Sequence, residues 1–93
     1  MKLSTELILR LGVHPSMVLA YLVANDDGNG YKFNPNNLAG NGDFELVSKC
    51  QIYDGLRKLK TLGLVTRWSE DRIPVYQVTQ KGWDMFCILN GEE

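Results

Sequence analysis

Ninety-three residues, 44% of them hydrophobic and 23% charged, suit one small domain with a single core, read as residues 1–93 with the core at about 13–89. No apolar run reaches the ~18–20 residues of a membrane span. Two cysteines, Cys50 and Cys87, are too few for a disulfide framework and lack metal-ligand spacing, and the net charge of −1 lacks the basic excess of a typical nucleic-acid binder.

The opening segment, MKLSTELILRLGVHP, is interrupted by Glu6 and Arg10, so no signal peptide is expected and a reducing cytoplasm fits best. Ser4 is placed to cap a first helix running to about Leu11, with a Leu3–Ile8 staple and Gly12 as its stop. Val13-His14-Pro15 opens a second helix, with His14 near the cap and Pro15 at the first helical position. From Met17 to Ala24 it is apolar nearly all round, as a central core helix would be. Asn25 to Gly30 is a dense turn cluster; its composition resembles a calcium loop, but it lacks the alternating ligands and terminal Glu, so a plain turn is expected. Tyr31-Lys32-Phe33 alternates as a very short strand. Asn34 and Pro35 then start a third helix, brief or irregular because Gly40-Asn41-Gly42-Asp43 follows at once.

The best-specified element lies between Val47 and Val65. Ser48 and Gln51 make a capping box, and Val47 and Ile52 a hydrophobic staple. Ile52, Leu56, Leu59 and then Leu62 or Gly63 recur at helical spacing, and Gly63 suits a left-handed stop. The opposite face is centred on Cys50, Asp54, Arg57 and Thr61, flanked by Gln51, Tyr53 and Lys58. Two strands follow, Val65–Trp68 and Ile73–Val78, joined through Ser69–Arg72, with Pro74 confining its strand to an edge or to its first residues. Thr79 caps a last helix, Gln80 to about Leu89, with Trp83, Phe86, Cys87 and Leu89 or Asn90 at the helical step; residues 90–93 are expected to fray.

Charge is unevenly spread. From Lys49 to Arg72 six basic residues face three acidic ones, +3, while the remainder carries four basic and eight acidic residues, −4.

The order of elements indicates an α+β chain whose long helix is followed by a two-stranded ribbon, and here the letters resemble a known family. Ser48, Ile52, Leu56, Leu59 and Gly63-Leu64-Val65 resemble the recognition helix and exit of winged helix-turn-helix domains. Val78-Thr79-Gln80-Lys81-Gly82 is similar to the segment opening the final helix of MarR-like and PadR-like regulators. Winged-helix modules of phage and plasmid replication proteins are similar too, around Val18 to Ala39. The resemblance covers roughly residues 15 to 89. Leu38-Ala39 precede Ser48 by ten and nine residues, where the family has about seven and six, so the extra Gly-Asn-Gly-Asp must lengthen the turn or shorten the helix.

That resemblance implies a DNA-binding protein, a small transcriptional regulator or mobile-element accessory factor, with helix 49–62 in the major groove and ribbon 65–78 as the wing. Lys49, Gln51, Tyr53 and Arg57 are the candidates for base edges, since Gln suits adenine and Arg suits guanine. Ser48 and the helix N-terminal amides are placed for a phosphate, as are Lys58, Lys60, Arg67 and Arg72. Asp54 opposes this reading, because a carboxylate repels phosphates; at its spacing it can instead pair with Arg57 or Lys58. Double-stranded DNA is the expected partner, and a homodimer would use Ser4–Leu11 or Gln80–Leu89. The alternative is a winged-helix protein-interaction module with little DNA binding. Cys50 is expected to be an inert small residue, and Trp68 and Trp83 to pack under the ribbon or at a dimer contact. No cofactor, metal site or catalytic constellation is expected.

Overall fold

The computed structural model describes residues 3–26 and 28–90. Asp27, within the expected turn, and residues 91–93 of the expected frayed end lie outside the described residues, as do Met1 and Lys2 of the segment read for a signal peptide. The elements are α1 (Thr5–Leu11), α2 (Val13–Asn25), β1 (Tyr31–Lys32), two single-turn 3₁₀ helices (Pro35–Asn37 and Gly42–Phe44), α3 (Lys49–Thr61), β2 (Val65–Glu70), β3 (Ile73–Val78) and α4 (Gln80–Leu89). This is an α+β architecture of four α-helices and an antiparallel sheet in the order β1-β3-β2. Among the described residues no single helix is long and apolar enough to cross a membrane. α1 and α2 meet at 114°, and their Leu7, Leu11, Val18, Leu19 and Leu22 are buried in the common core.

Ser4 accepts from the Leu7 N–H and starts α1 as its sequence indicates. Gly12 both ends α1 and begins α2: at φ +97° it turns the corner in one residue, and its carbonyl accepts from the Ser16 N–H at 3.1 Å. α2 therefore begins at Val13, and His14 lies inside its first turn instead of capping it. Pro15 is tolerated there because first-turn N–H groups lack intrahelical partners in any case. α3 crosses α2 at this point. A Cβ on Gly55 would stand 3.3 Å from the His14 carbonyl oxygen, so the glycine lets the two backbones approach.

The segment expected as a third helix breaks into the two 3₁₀ turns. Asn34 Oδ1 accepts from the Asn36 N–H at 2.9 Å, but Gly40, at φ +78°, takes a left-handed conformation that ends a right-handed helix, and the second turn starts afresh at Gly42 (φ +55°). The extra Gly-Asn-Gly-Asp thus shortens the helix, while Leu38, Phe44 and Val47 still reach the core.

The exit of α3 is knitted to the start of α4. Gly63 at φ +77° donates to the Lys60 carbonyl and Leu64 to the Leu59 carbonyl, the paired bonds of a Schellman stop. Thr79 donates from its N–H to the Leu64 carbonyl (3.0 Å) and from Oγ1 to the Gly63 carbonyl (2.7 Å), while Lys81 Nζ donates to the Leu62 carbonyl (3.1 Å). Gly82 seats α4 on this corner, since a Cβ there would lie 2.2 Å from the Leu64 oxygen. That contact also orients α4: Trp83, Met85, Phe86 and Leu89 pack against the core, and Cys87, expected on the inner face, is exposed. Gly82→Ala is expected to lower unfolding free energy by about 2–3 kcal/mol through overpacking against backbone, measured by urea denaturation.

β2 extends to Glu70, two residues past the expected Trp68, so the connection shrinks to Asp71-Arg72, at φ +53° and +69°. Both values are those a two-residue type I′ hairpin demands. Pro74 lies in the central strand, but as its second residue; its carbonyl accepts from the Phe33 N–H at 3.3 Å, just past the end of β1. At the other end of β3 the Asp26 carboxylate, 5% exposed, accepts N–H bonds from Gly28 (2.9 Å), Gly30 (3.0 Å) and Val78 (2.9 Å). Asp26→Ala leaves these donors without their acceptor and is expected to cost about 3 kcal/mol. Asp26→Asn, which keeps one acceptor oxygen, should cost less in the same denaturation measurement.

Candidate nucleic-acid interface

Strand alternation decides what α3 faces. Along β2, Val65, Arg67 and Ser69 share one face of the sheet with Tyr76 and Val78 of β3, and Thr66, Trp68 and Glu70 share the other. Arg67 stands opposite Tyr76 in the register, with its guanidinium carbon 5.9 Å from the ring centroid. On α3, Tyr53, Leu56, Arg57 and Lys60 form one stripe at steps of three, one and three. Between this stripe and the hairpin lies an open cleft of about 260 Å³, completed by Arg67, Pro74 and Tyr76. Leu56 and Tyr76 are buried beneath it, while Tyr53, Arg57, Lys60 and Arg67 are exposed. Three cations line the cleft, and among the described residues no carboxylate does. An anion entering it would meet attraction from both sides.

The structure brings together Tyr53, Arg57, Lys60 and Arg67 of the residues singled out from sequence. It places the others elsewhere. Ser48 and Gln51 bind each other, the Ser48 N–H donating to Gln51 Oε1 (2.9 Å) and the Gln51 N–H to Ser48 Oγ (3.2 Å). Lys49 and Lys58 are exposed on α3 but do not line the cleft, and Arg72 sits at the hairpin tip. Asp54 resolves its two possible partners in favour of Arg57, with Nη1 to Oδ1 at 2.9 Å. Both groups are exposed, so the pair contributes only ~0.3–0.5 kcal/mol. Neither Lys60 nor Arg67 is held by a carboxylate among the described residues.

Pro74 and Tyr76 were not legible as cleft residues. A four-residue connection at Ser69–Arg72 would set Arg67 opposite Pro74; the two-residue turn moves it to Tyr76. The signal that could have found this is the closing pair Glu70↔Ile73, since hairpin loop length sets the register. Tyr76 is backed by Phe33, ring centroids 5.3 Å apart, and Phe33 by Tyr21 at 5.8 Å. Burial, then the hydrogen bond to Tyr31, pushes the Tyr21 hydroxyl up to about 12.

Of the hairpin's two acids, Glu70 points away from the cleft. Glu70 accepts from Trp68 Nε1 at 2.9 Å and pairs with Lys32 of β1 at 3.0 Å, both on the opposite sheet face. Trp68 in turn packs over Gly30 and across from Val75. The Trp68 hydrogen bond first, then Lys32, lowers the Glu70 pKa from its ordinary 4.5. A carboxyl lowered in the folded state adds stability above the ordinary value and loses it as pH falls through the lower one. Trp68→Phe is expected to return the Glu70 midpoint toward 4.5, followed by NMR titration of its side-chain carboxyl.

Among the described residues, one further open cavity is lined by Leu3, Ile8, Val13, Met17 and Asp43, and another by Tyr21, Tyr31, Phe33, Asn34, Asn37 and Leu38. Among the described residues no group of three or more His, Cys, Asp or Glu side chains could hold a metal ion. Comparison with protein-family models, with curated proteins and with solved structures finds no match.

Proposed function

We propose that this chain is a winged helix-turn-helix DNA-binding protein, a small transcriptional regulator or mobile-element accessory factor, with α3 presented to the major groove and the β2–β3 hairpin as the wing. The observation that carries the reading is the cleft between α3 and the hairpin, where Arg57, Lys60 and Arg67 line one concavity without an acid. A duplex offers that surface a regular ridge of phosphates, and phosphate contacts supply most of non-specific affinity. Glu70 is drawn to the far face of the sheet by Lys32 and Trp68, whereas Asp71 in the hairpin turn and Asp54 on α3 oppose phosphate binding. On the same reading α1 and α4 form the dimer surface, with Leu9 and Ile88 on them 78% and 74% exposed.

A protein-interaction module is the competing use of the same fold. Two observations favour it: Asp54 at the centre of the outer α3 face, and Leu46, 94% exposed just before α3. Fluorescence anisotropy with random-sequence duplex separates the two. With about five or six phosphate contacts, log affinity is expected to fall against log salt with a slope near ~−5. Absence of binding at low salt, or a flat slope, would overturn the DNA reading and leave the protein-interaction module.

A further inference from the structure

We infer that the cleft takes duplex DNA by its backbone, with little discrimination of base sequence; this rests on the DNA-binding reading above and concerns what that site distinguishes. Base readout needs free forks. A glutamine reads adenine by accepting from N6–H with its oxygen while donating to N7 with its nitrogen, and an arginine reads guanine by offering two N–H groups to O6 and N7. Of the four candidates on α3, the two that carry such forks, Gln51 and Arg57, each make a hydrogen bond within the helix; Lys49 lies outside the cleft and Tyr53 offers a single hydroxyl. Gln51 is folded back on the first turn, its Oε1 holding the Ser48 N–H at 2.9 Å. Arg57 Nη1 holds Asp54 Oδ1 at 2.9 Å. That pairing also sets a carboxylate beside the guanidinium, where it would face the acceptor atoms of a guanine.

The cations suited to phosphates are in the opposite condition. Lys60 and Arg67 are exposed, face one concavity from two different elements, and have no carboxylate partner among the described residues. Arg67 lies over the Tyr76 ring, its guanidinium carbon 5.9 Å from the centroid, and lines the cleft from the hairpin side. Cations converging from two elements on one concavity match the feature common to every duplex, the phosphate ridge.

The test is competition anisotropy over a panel of duplexes of varied sequence, at several salt concentrations, with four proteins. Wild type is expected to bind the whole panel within about tenfold, against the ~10³ or more that separates specific from non-specific sites. Lys60→Gln with Arg67→Gln should weaken binding to every duplex equally and reduce the salt slope by about 2. Arg67→Lys, which keeps the charge, should keep the slope. Gln51→Glu keeps the capping box but removes the amide donor, and should leave the ranking of duplexes unchanged. One duplex preferred ~10³-fold, with the preference lost in Gln51→Glu, overturns this inference while the DNA-binding reading stands. So does a double glutamine variant with unaltered slope. No binding by wild type at low salt overturns both.

Discussion

The Asp26 carboxylate sits at the end of α2, nearly out of solvent, and is satisfied only where Gly28, Gly30 and Val78 present their N–H groups to it. A buried charge without such partners is strongly destabilising, so the loop after α2 must curl back and the last residue of β3 must lie against it. Much else follows from that one placement. Gly30 is carried under Trp68 and Val75, where a Cβ would come within 2.7 Å of the valine. Trp68 is thereby fixed on the outer sheet face, and its indole N–H holds Glu70 beside Lys32. Glu70, the last residue of β2, is kept off the cleft by a chain of contacts that begins in a loop far from it in sequence.

The other wall of the cleft depends on close backbone approach. Gly55 brings α3 onto the first turn of α2, and Gly82 brings α4 onto the corner where α3 becomes β2. Between these two contacts the Schellman stop sends the chain straight from Leu62 into the sheet. The two glycines thus fix α3 against α2 and α4 against the α3–β2 corner, and neither of them lines the cleft.

What was legible in the sequence was what the chain decides locally. Ser4, Ser48, Asn34 and Thr79 all accept the N–H bonds expected of them, and Gly12 and Gly63 fall where spacing puts them. Capping and staples involve residues within about five positions, so a one-dimensional pattern suffices. The departures arise where distant segments compete. His14 lost the cap position because Gly12 could turn the corner alone. Cys87 lost the inner face because Gly82, pressed on Leu64, rotates α4. The carboxylate of Asp26 reaches Val78 across 52 positions, and no local rule anticipates that. Of the candidate site, the cations of the cleft were identifiable as charges; their convergence waited on a hairpin register two residues different from the one the turn composition suggested. Gln51 and Ser48 show the reverse case, a local rule read correctly whose fulfilment removes both side chains from ready contact with a partner.

One contact joins the two ends of the fold. Ser4 donates from its N–H to Asn90 Oδ1 at 2.8 Å and from its hydroxyl to the Leu89 carbonyl, tying the start of α1 to the end of α4. Topologically, the described chain is almost a ring. A covalent bridge across that seam would close a loop of nearly the whole domain, for which chain entropy alone predicts about 4 kcal/mol of stabilisation. With the seam joined, the Asp71-Arg72 turn, where Arg72 is held at a left-handed angle that its side chain does not favour, becomes the natural place to open the ring again. A permuted chain cut there would keep every cap and both glycine contacts, and would split the hairpin into two free strand ends at the mouth of the cleft.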